Sequence, residues 1–368
     1  MLRRFFIVGL VLSGLFAGLI ALMPAFAPET AILAVNVPRP DYQQDIWLLD
    51  VQRGISYFTN IYARYDNYAV WSEDGKSITM VDLYGSNNLY INDLESGEQR
   101  IIPLKQPHSV LLISSSRIVY YSGLNNGSLI VLDPEMWEEQ IVSWNNMSIF
   151  DVITEEDTIF VLASVNNNIS VNIYAIDLTE TTITLLSTDI DLPLGISRMI
   201  LYLDEIIYFS GNQIFAISRH TPENIRTIAT LPVQEIFSIR SVPSNSHQIL
   251  ASTGYPQTWL IDVETGESEL FEENRVLVEF SPDGETLLSS RRVQSGTIIE
   301  VTRHGQHREI PVNDQLVWLK WSPDSRYLAT CSPYDLSNTC YLVDTEEGTV
   351  EVMNVPLPLS LNWQPAPQ

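Results

Sequence analysis

The chain has 368 residues, 45% of them apolar, and sets 20 basic side chains against 45 acidic ones for a formal net charge of −25. That apolar share supplies a large core and excludes disordered and fibrous classes. The charge repels phosphate backbones, and the only lysines, Lys76, Lys105 and Lys320, make no basic patch for nucleic acid or an anionic membrane surface. Length alone suggests two or three domains, unless a repeat makes it one.

Residues 1–27 place Arg3 and Arg4 ahead of an uncharged apolar run from Phe5 to Met23. This is the pattern of an export signal. Ala25-Phe26-Ala27 offers a small-x-small cleavage site, whereas Pro28 disfavours cutting there because its ring fixes φ and removes an N–H. The run also approaches the ~20 residues that span a bilayer. Two outcomes stand, a cleaved signal peptide or an uncleaved membrane anchor through residues 5–23. Either places residues 28–368 outside the cytoplasm, periplasmic or extracellular. N-terminal sequencing separates them, since a mature chain beginning near residue 28 excludes the anchor.

From there the chain repeats. An apolar pair followed by Asp recurs at Asp50, Asp133, Asp177, Asp262 and Asp344, and as Ile91-Asn92-Asp93 at Asp93, with Ser218 and Thr302 in the same slot of two weaker copies. The steps are 43, 40, 44, 41, 44, 40 and 42 residues. A second anchor is an aromatic residue leading into a turn: Trp71-Ser-Glu-Asp-Gly75, Phe280-Ser-Pro-Asp-Gly284, Trp321-Ser-Pro-Asp-Ser325 and a truncated Trp363-Gln-Pro. Pro presets φ, Asp bonds its own local backbone and Gly accepts positive φ, so the motif specifies a hairpin turn. In one copy, 276–280, 286–291, 297–302 and 308–312 read as four successive strands. Four β strands every 42 or so residues are the mark of a β-propeller blade.

The ends complete the pattern. Residues 359–363 read as the first strand of a copy that then stops, and 31–37, 45–50 and 55–59 supply its other three strands. The expectation is an all-β fold, a single propeller over residues 28–368, with one blade shared by the two termini so that no edge is left open. Eight blades are predicted, with seven as the alternative because the copy from Leu194 to Leu231 is weakest.

The aromatic-Ser-Pro-Asp-Gly turn, followed about 20 residues later by apolar-apolar-Asp-x-x-x-Gly, resembles the WD40-like (PD40) repeats of TolB-type propellers, which are exported bacterial proteins. The motif departs at Glu73 and Ser325 and is lost from residues 107–231. The resemblance implies an extracytoplasmic propeller.

Cys331 and Cys340 are the only cysteines and bracket a loop between two strands of one blade. Outside the cytoplasm a disulfide across that hairpin is expected. Catalytic motifs are missing: no Gly-x-Ser-x-Gly, no phosphate loop and no dinucleotide fingerprint occur, so neither a cofactor nor a metal is expected. His304 and His307 flank a turn glycine, and the acidic clusters fall at strand connections, where they solvate turns.

Binding is therefore the expected role. The second-to-third-strand loops hold Tyr42, Tyr84, Asn125, Asn167, Tyr255 and Tyr334, and Tyr62, Arg64 and Tyr65 read as an inter-blade segment on the same side. Tyr with Ser, Gly and Asn suits recognition, although hairpin turns require Asn and Gly in any case. The first function class is a non-catalytic propeller that recognises a protein or envelope glycan through this loop face. The second is an exported propeller enzyme, a lyase, lactonase or glycosidase, with its site at the central channel.

Overall fold

The computed structural model describes residues 32–365, apart from 39–42, 52–54, 65–69, 73, 82–86, 105–106, 114–116, 123–127, 134–137, 143–146, 156, 166–170, 181, 191–198, 222–223, 244–246, 254–256, 274, 276, 317, 333–338 and 354–359. Residues 1–27 lie outside this set. The described residues hold strands in every element, arranged as eight four-stranded antiparallel sheets. The fold is an eight-bladed β-propeller, and the seven-blade alternative falls away.

Blade 1 joins β1 (Ile32–Pro38), β2 (Gln43–Asp50) and β3 (Ile55–Arg64) to the last strand, β32 (Ser360–Trp363). Blade 2 is β4 (Val70–Trp71), β5 (Ser77–Val81), β6 (Asn88–Asp93) and β7 (Gln99–Pro103). Blade 3 is β8 (Pro107–Ile113), β9 (Ile118–Ser122), β10 (Ser128–Leu132) and β11 (Glu139–Ile141). Blade 4 is β12 (Met147–Glu155), β13 (Thr158–Val165), β14 (Val171–Asp177) and β15 (Ile183–Ile190). Blade 5, the weak copy, is complete in β16 (Met199–Tyr202), β17 (Glu205–Ser210), β18 (Gln213–Ser218) and β19 (Ile225–Thr230). Blade 6 is β20 (Ile236–Ser241), β21 (Gln248–Thr253), β22 (Gln257–Asp262) and β23 (Ser268–Glu273). Blade 7 is β24 (Leu277–Phe280), β25 (Thr286–Val293), β26 (Gly296–Arg303) and β27 (Gln306–Val312). Blade 8 is β28 (Trp318–Trp321), β29 (Tyr327–Cys331), β30 (Cys340–Asp344) and β31 (Thr349–Val352).

Most second strands read as near-continuous apolar runs because both faces are buried, whereas β25 of blade 7 buries Thr286, Ser289 and Ser290 beside its leucines. On β13, Ile159, Val161 and Ala163 pack against blade 3, while Phe160 and Leu162 pack against blade 5. The same division holds on β17, where Ile206 and Tyr208 face blade 4 and Ile207 and Phe209 face blade 6. An apolar cluster fills every seam from blades 1 and 2 round to blades 7 and 8. The eighth seam joins blade 8 to blade 1 through Ala329, Cys331, Cys340 and Met353 against Leu33 and Val35. First strands stand beside one another from blade to blade, β12 next to β16, β16 next to β20, β28 next to β32 and β32 next to β4. They are the inner ring.

The turn motif works as its chemistry requires. Ser281 Oγ donates to Asp283 Oδ1 at 2.5 Å and accepts from the Thr286 amide at 3.0 Å, while Gly284 takes φ 72°. Ser72 with Asp74 and Ser322 with Asp324 repeat the arrangement. Ser325 departs from the motif for a reason: it accepts the left-handed φ of 62°, and its Oγ takes the Asp283 amide at 2.9 Å, which ties the turns of blades 7 and 8. In the other slot, Asp93, Asp177, Asp262 and Asp344 each accept amides two and three residues ahead. Ser218 does the same with its hydroxyl in the weak copy. Thr302 does not, since it sits within β26 and contacts His307 instead.

Cys331 and Cys340 are directly opposed in the β29–β30 ladder, both buried, and form the expected disulfide. Native protein should resist thiol alkylation until a reductant is added. Closing so short a loop contributes about 2–3 kcal/mol in the chain-entropy model, so the double Ser variant should lose that much in denaturant titration. At the closure seam, Leu33 is 0% exposed; Leu33→Ala should cost about 3 kcal/mol, against less than about 0.5 kcal/mol for an exposed outer-strand change such as Ile141→Ala.

Candidate functional site

The inner ring carries charge at one height. Arg240 pairs with Leu250, Glu279 with Leu288 and Lys320 with Ala329, in each case the third residue of the blade's second strand. The register makes the three equivalent positions on consecutive blades, signed plus, minus, plus. Ile153 and Ile200 hold the same position in blades 4 and 5. All five residues line one cavity of about 710 Å³ whose walls are the first strands of blades 4 to 8. It is the channel, and Pro243 and Pro282 of the first-to-second-strand turns set its mouth at that end of the ring.

Arg240 Nη1 lies 3.8 Å from Glu279 Oε2 and donates to the Val278 carbonyl at 3.4 Å. Arg240 and Glu279 side chains are 29% and 28% exposed. Burial raises the Glu279 pKa, against the opposing pull of Arg240 and Lys320. Lys320 reaches channel water yet is walled in by its neighbours, and this desolvation lowers its pKa, with Glu279 acting the other way. Across the cavity Asp151, placed at a β-bulge, accepts the Met199 amide at 3.0 Å and so ties blade 4 to blade 5. The arrangement offers a fork of donors, two carboxylates and an ammonium beside an apolar wall: a small binding site, with acid and base groups available.

Tyr42, Tyr65, Tyr84, Asn125, Asn167, Tyr255 and Tyr334 fall outside the described residues. Tyr62 and Arg64 are not in an inter-blade connection: β3 runs on to Arg64, pairing Tyr62 with Asp45 and Arg64 with Gln43 past an irregularity between Asp45 and Trp47. That irregularity lets the outer strand continue where the sequence read a break. Among the described residues no group of three or more His, Cys, Asp or Glu side chains could hold a metal. His304 and Gly305 form the turn between β26 and β27, and His304 and His307 are exposed there.

Sequence reasoning missed Asp151, Arg240 and Glu279, and counted Lys320 only toward the net charge. A usable signal was present. Glu279 and Lys320 each immediately precede the aromatic residue of the turn motif, a lone charge in an otherwise apolar first strand.

No family model matches the chain, and no curated protein matches it. Solved structures do. Dihydro-heme d1 dehydrogenase is similar with a TM-score of 0.66 at 10% identity, over 91% of this chain and 75% of that one. Oligogalacturonate lyase from Vibrio parahaemolyticus is similar at 0.53 and 12%, over 86% and 97%. TolB from Acinetobacter baumannii matches at 0.42 and 12%, over 81% and 82%. The first two carry the point. These likenesses show a propeller fold. They include a dehydrogenase and a lyase, so the fold alone leaves the activity undecided.

The two shifted groups give a pH test. The folded state holds the Glu279 proton above the ordinary value of 4.5, so from there up to the raised value it binds more protons than the unfolded chain, and stability falls as pH rises. Lys320 has the opposite sign: below its ordinary 10.5 the folded state binds fewer protons, and stability rises with pH from the lowered value up to that point. Glu279→Gln removes the first contribution. Its melting temperature relative to wild type should increase from about pH 4 toward neutrality; a difference that stays flat or shrinks would refute the burial of this charge.

Proposed function

We propose that the chain is an exported, non-catalytic propeller that recognises a protein or envelope glycan through the face gathering its second-to-third-strand connections. One observation carries the reading, the unlike construction of the two ends of the blades. At one end the turns run from two to six residues and consume their own polar groups, as at Asp93, Asp177, Asp262 and Ser281. At the other end the connections vary in length, from residues 211–212 in blade 5 to 82–87 in blade 2 and 332–339 in blade 8. These variable segments hold Tyr84, Asn125, Asn167, Tyr255 and Tyr334. A rigid ring presenting loops of unequal length, rich in Tyr, Asn, Ser and Gly, suits a recognition surface. The disulfide at the base of the longest loop and the apolar N-terminal segment support an extracytoplasmic location.

A second reading, an exported lyase, lactonase or glycosidase working at the channel, is favoured by one specific observation, the oppositely shifted Glu279 and Lys320 in one cavity. Crosslinking in the native envelope distinguishes the two. Under the first reading, the combined Tyr84→Ala, Tyr255→Ala and Tyr334→Ala variant melts like wild type and loses at least tenfold of the crosslinked partner, and Glu279→Gln keeps it. Undiminished capture by the triple variant would remove the loop face as the binding surface.

A further inference from the structure

We infer that the channel mouth is a binding site for a small monovalent organic carboxylate, seated on the Arg240 guanidinium between Glu279 and the apolar wall. Arg240 engages its neighbours through Nη1 alone, at 3.4 Å to the Val278 carbonyl and 3.8 Å to Glu279. Among the described residues its Nε and Nη2 hydrogens have no acceptor, although the side chain is only 29% exposed. These donors are open to the cavity and available to a ligand, and a carboxylate matches the two-pronged edge of a guanidinium with two parallel hydrogen bonds.

The rest of the cavity restricts what can bring that carboxylate. Glu279 and Asp151 line the same space and would repel a second negative charge, which selects against dianions such as phosphate. Ile153, Ile200, Leu319 and Trp321 line it as well and accept an apolar body. A volume of about 710 Å³ is within the range of small-molecule pockets.

Binding is coupled to a proton. The incoming carboxylate competes with Glu279 for Arg240, and two carboxylates sharing one guanidinium favour protonation of one of them. Burial already favours the protonated form of Glu279. The charged groups facing it are Arg240 from β20, Lys320 from β28 and, across the cavity, Asp151 from β12. Affinity therefore rises as pH falls, down to the ligand's own carboxyl pKa, roughly 4.3.

The test titrates the full-length protein with phenylacetate and with its neutral isostere phenylacetamide, by calorimetry in buffers of different ionisation enthalpy. Phenylacetate should bind with net proton uptake, and the amide at least tenfold more weakly. Glu279→Gln should bind phenylacetate about tenfold more tightly with a flat pH profile, and Arg240→Lys, which keeps the charge and loses the fork, at least tenfold more weakly. Equal binding of acid and amide would overturn the inference. So would failure of phenylacetate to bind both wild type and Glu279→Gln, or an Arg240→Lys variant that melts and binds like wild type.

Discussion

Both faces of the blades are largely apolar, and the rest of the molecule depends on covering them. A lone sheet with Phe160 and Leu162 on one side and Ile159, Val161 and Ala163 on the other has no stable place in water. Stacking sheets into a row would bury all but the two end faces. Only a ring leaves none, and the seam of Leu33 and Val35 with Ala329, Cys331 and Met353 is the one that turns the row into a ring. Pairing β1 with β32 makes that seam non-optional, because the first blade does not exist until the last strand arrives. The C-terminal Trp363 and Gln364 then reach to both neighbours, Trp363 Nε1 to the Lys320 carbonyl of blade 8 and Gln364 Nε2 to the Gly75 carbonyl of blade 2.

The ring was legible in the sequence because its unit is local. A turn of Ser, Asp and Gly closes its own hydrogen bonds whatever surrounds it, so the same residues recur wherever the same turn is needed. Even the weak fifth blade obeys, with the Ser218 hydroxyl standing in for a carboxylate. The sharing of one blade by both termini followed from counting strands. The length of β3 was not legible, since an irregular register opposite Asp45 and Trp47 lets Ile61–Arg64 continue an edge that the residue pattern had ended.

The channel charges were hidden for a different reason. The inner strands of blades 6, 7 and 8 contribute one charged residue apiece, and in its own repeat Arg240, Glu279 or Lys320 is merely a polar interruption. Their common height becomes visible only once each is paired to the third residue of its second strand. Convergence of this kind is a property of the closed ring, whereas turn chemistry is a property of five residues.

Charge is tolerated at that place because the geometry of the ring demands nothing apolar there. Blade faces are covered by neighbouring blades, but the inner edges of the first strands meet only the axis, where side chains line a space and pack against no sheet. Alternation of sign along blades 6, 7 and 8 keeps like charges from adjacent positions, and the Ile153 and Ile200 side makes the cavity amphipathic. The mouth of this cavity opens beside Pro243 and Pro282, at the end of the blades opposite the variable loops. The two surfaces therefore draw on separate residues of a rigid scaffold. A ligand in the channel would alter the loop face only by shifting blades whose seams are packed with apolar side chains, and such seams resist small displacements. On the two proposals made above, binding at one surface would be independent of binding at the other.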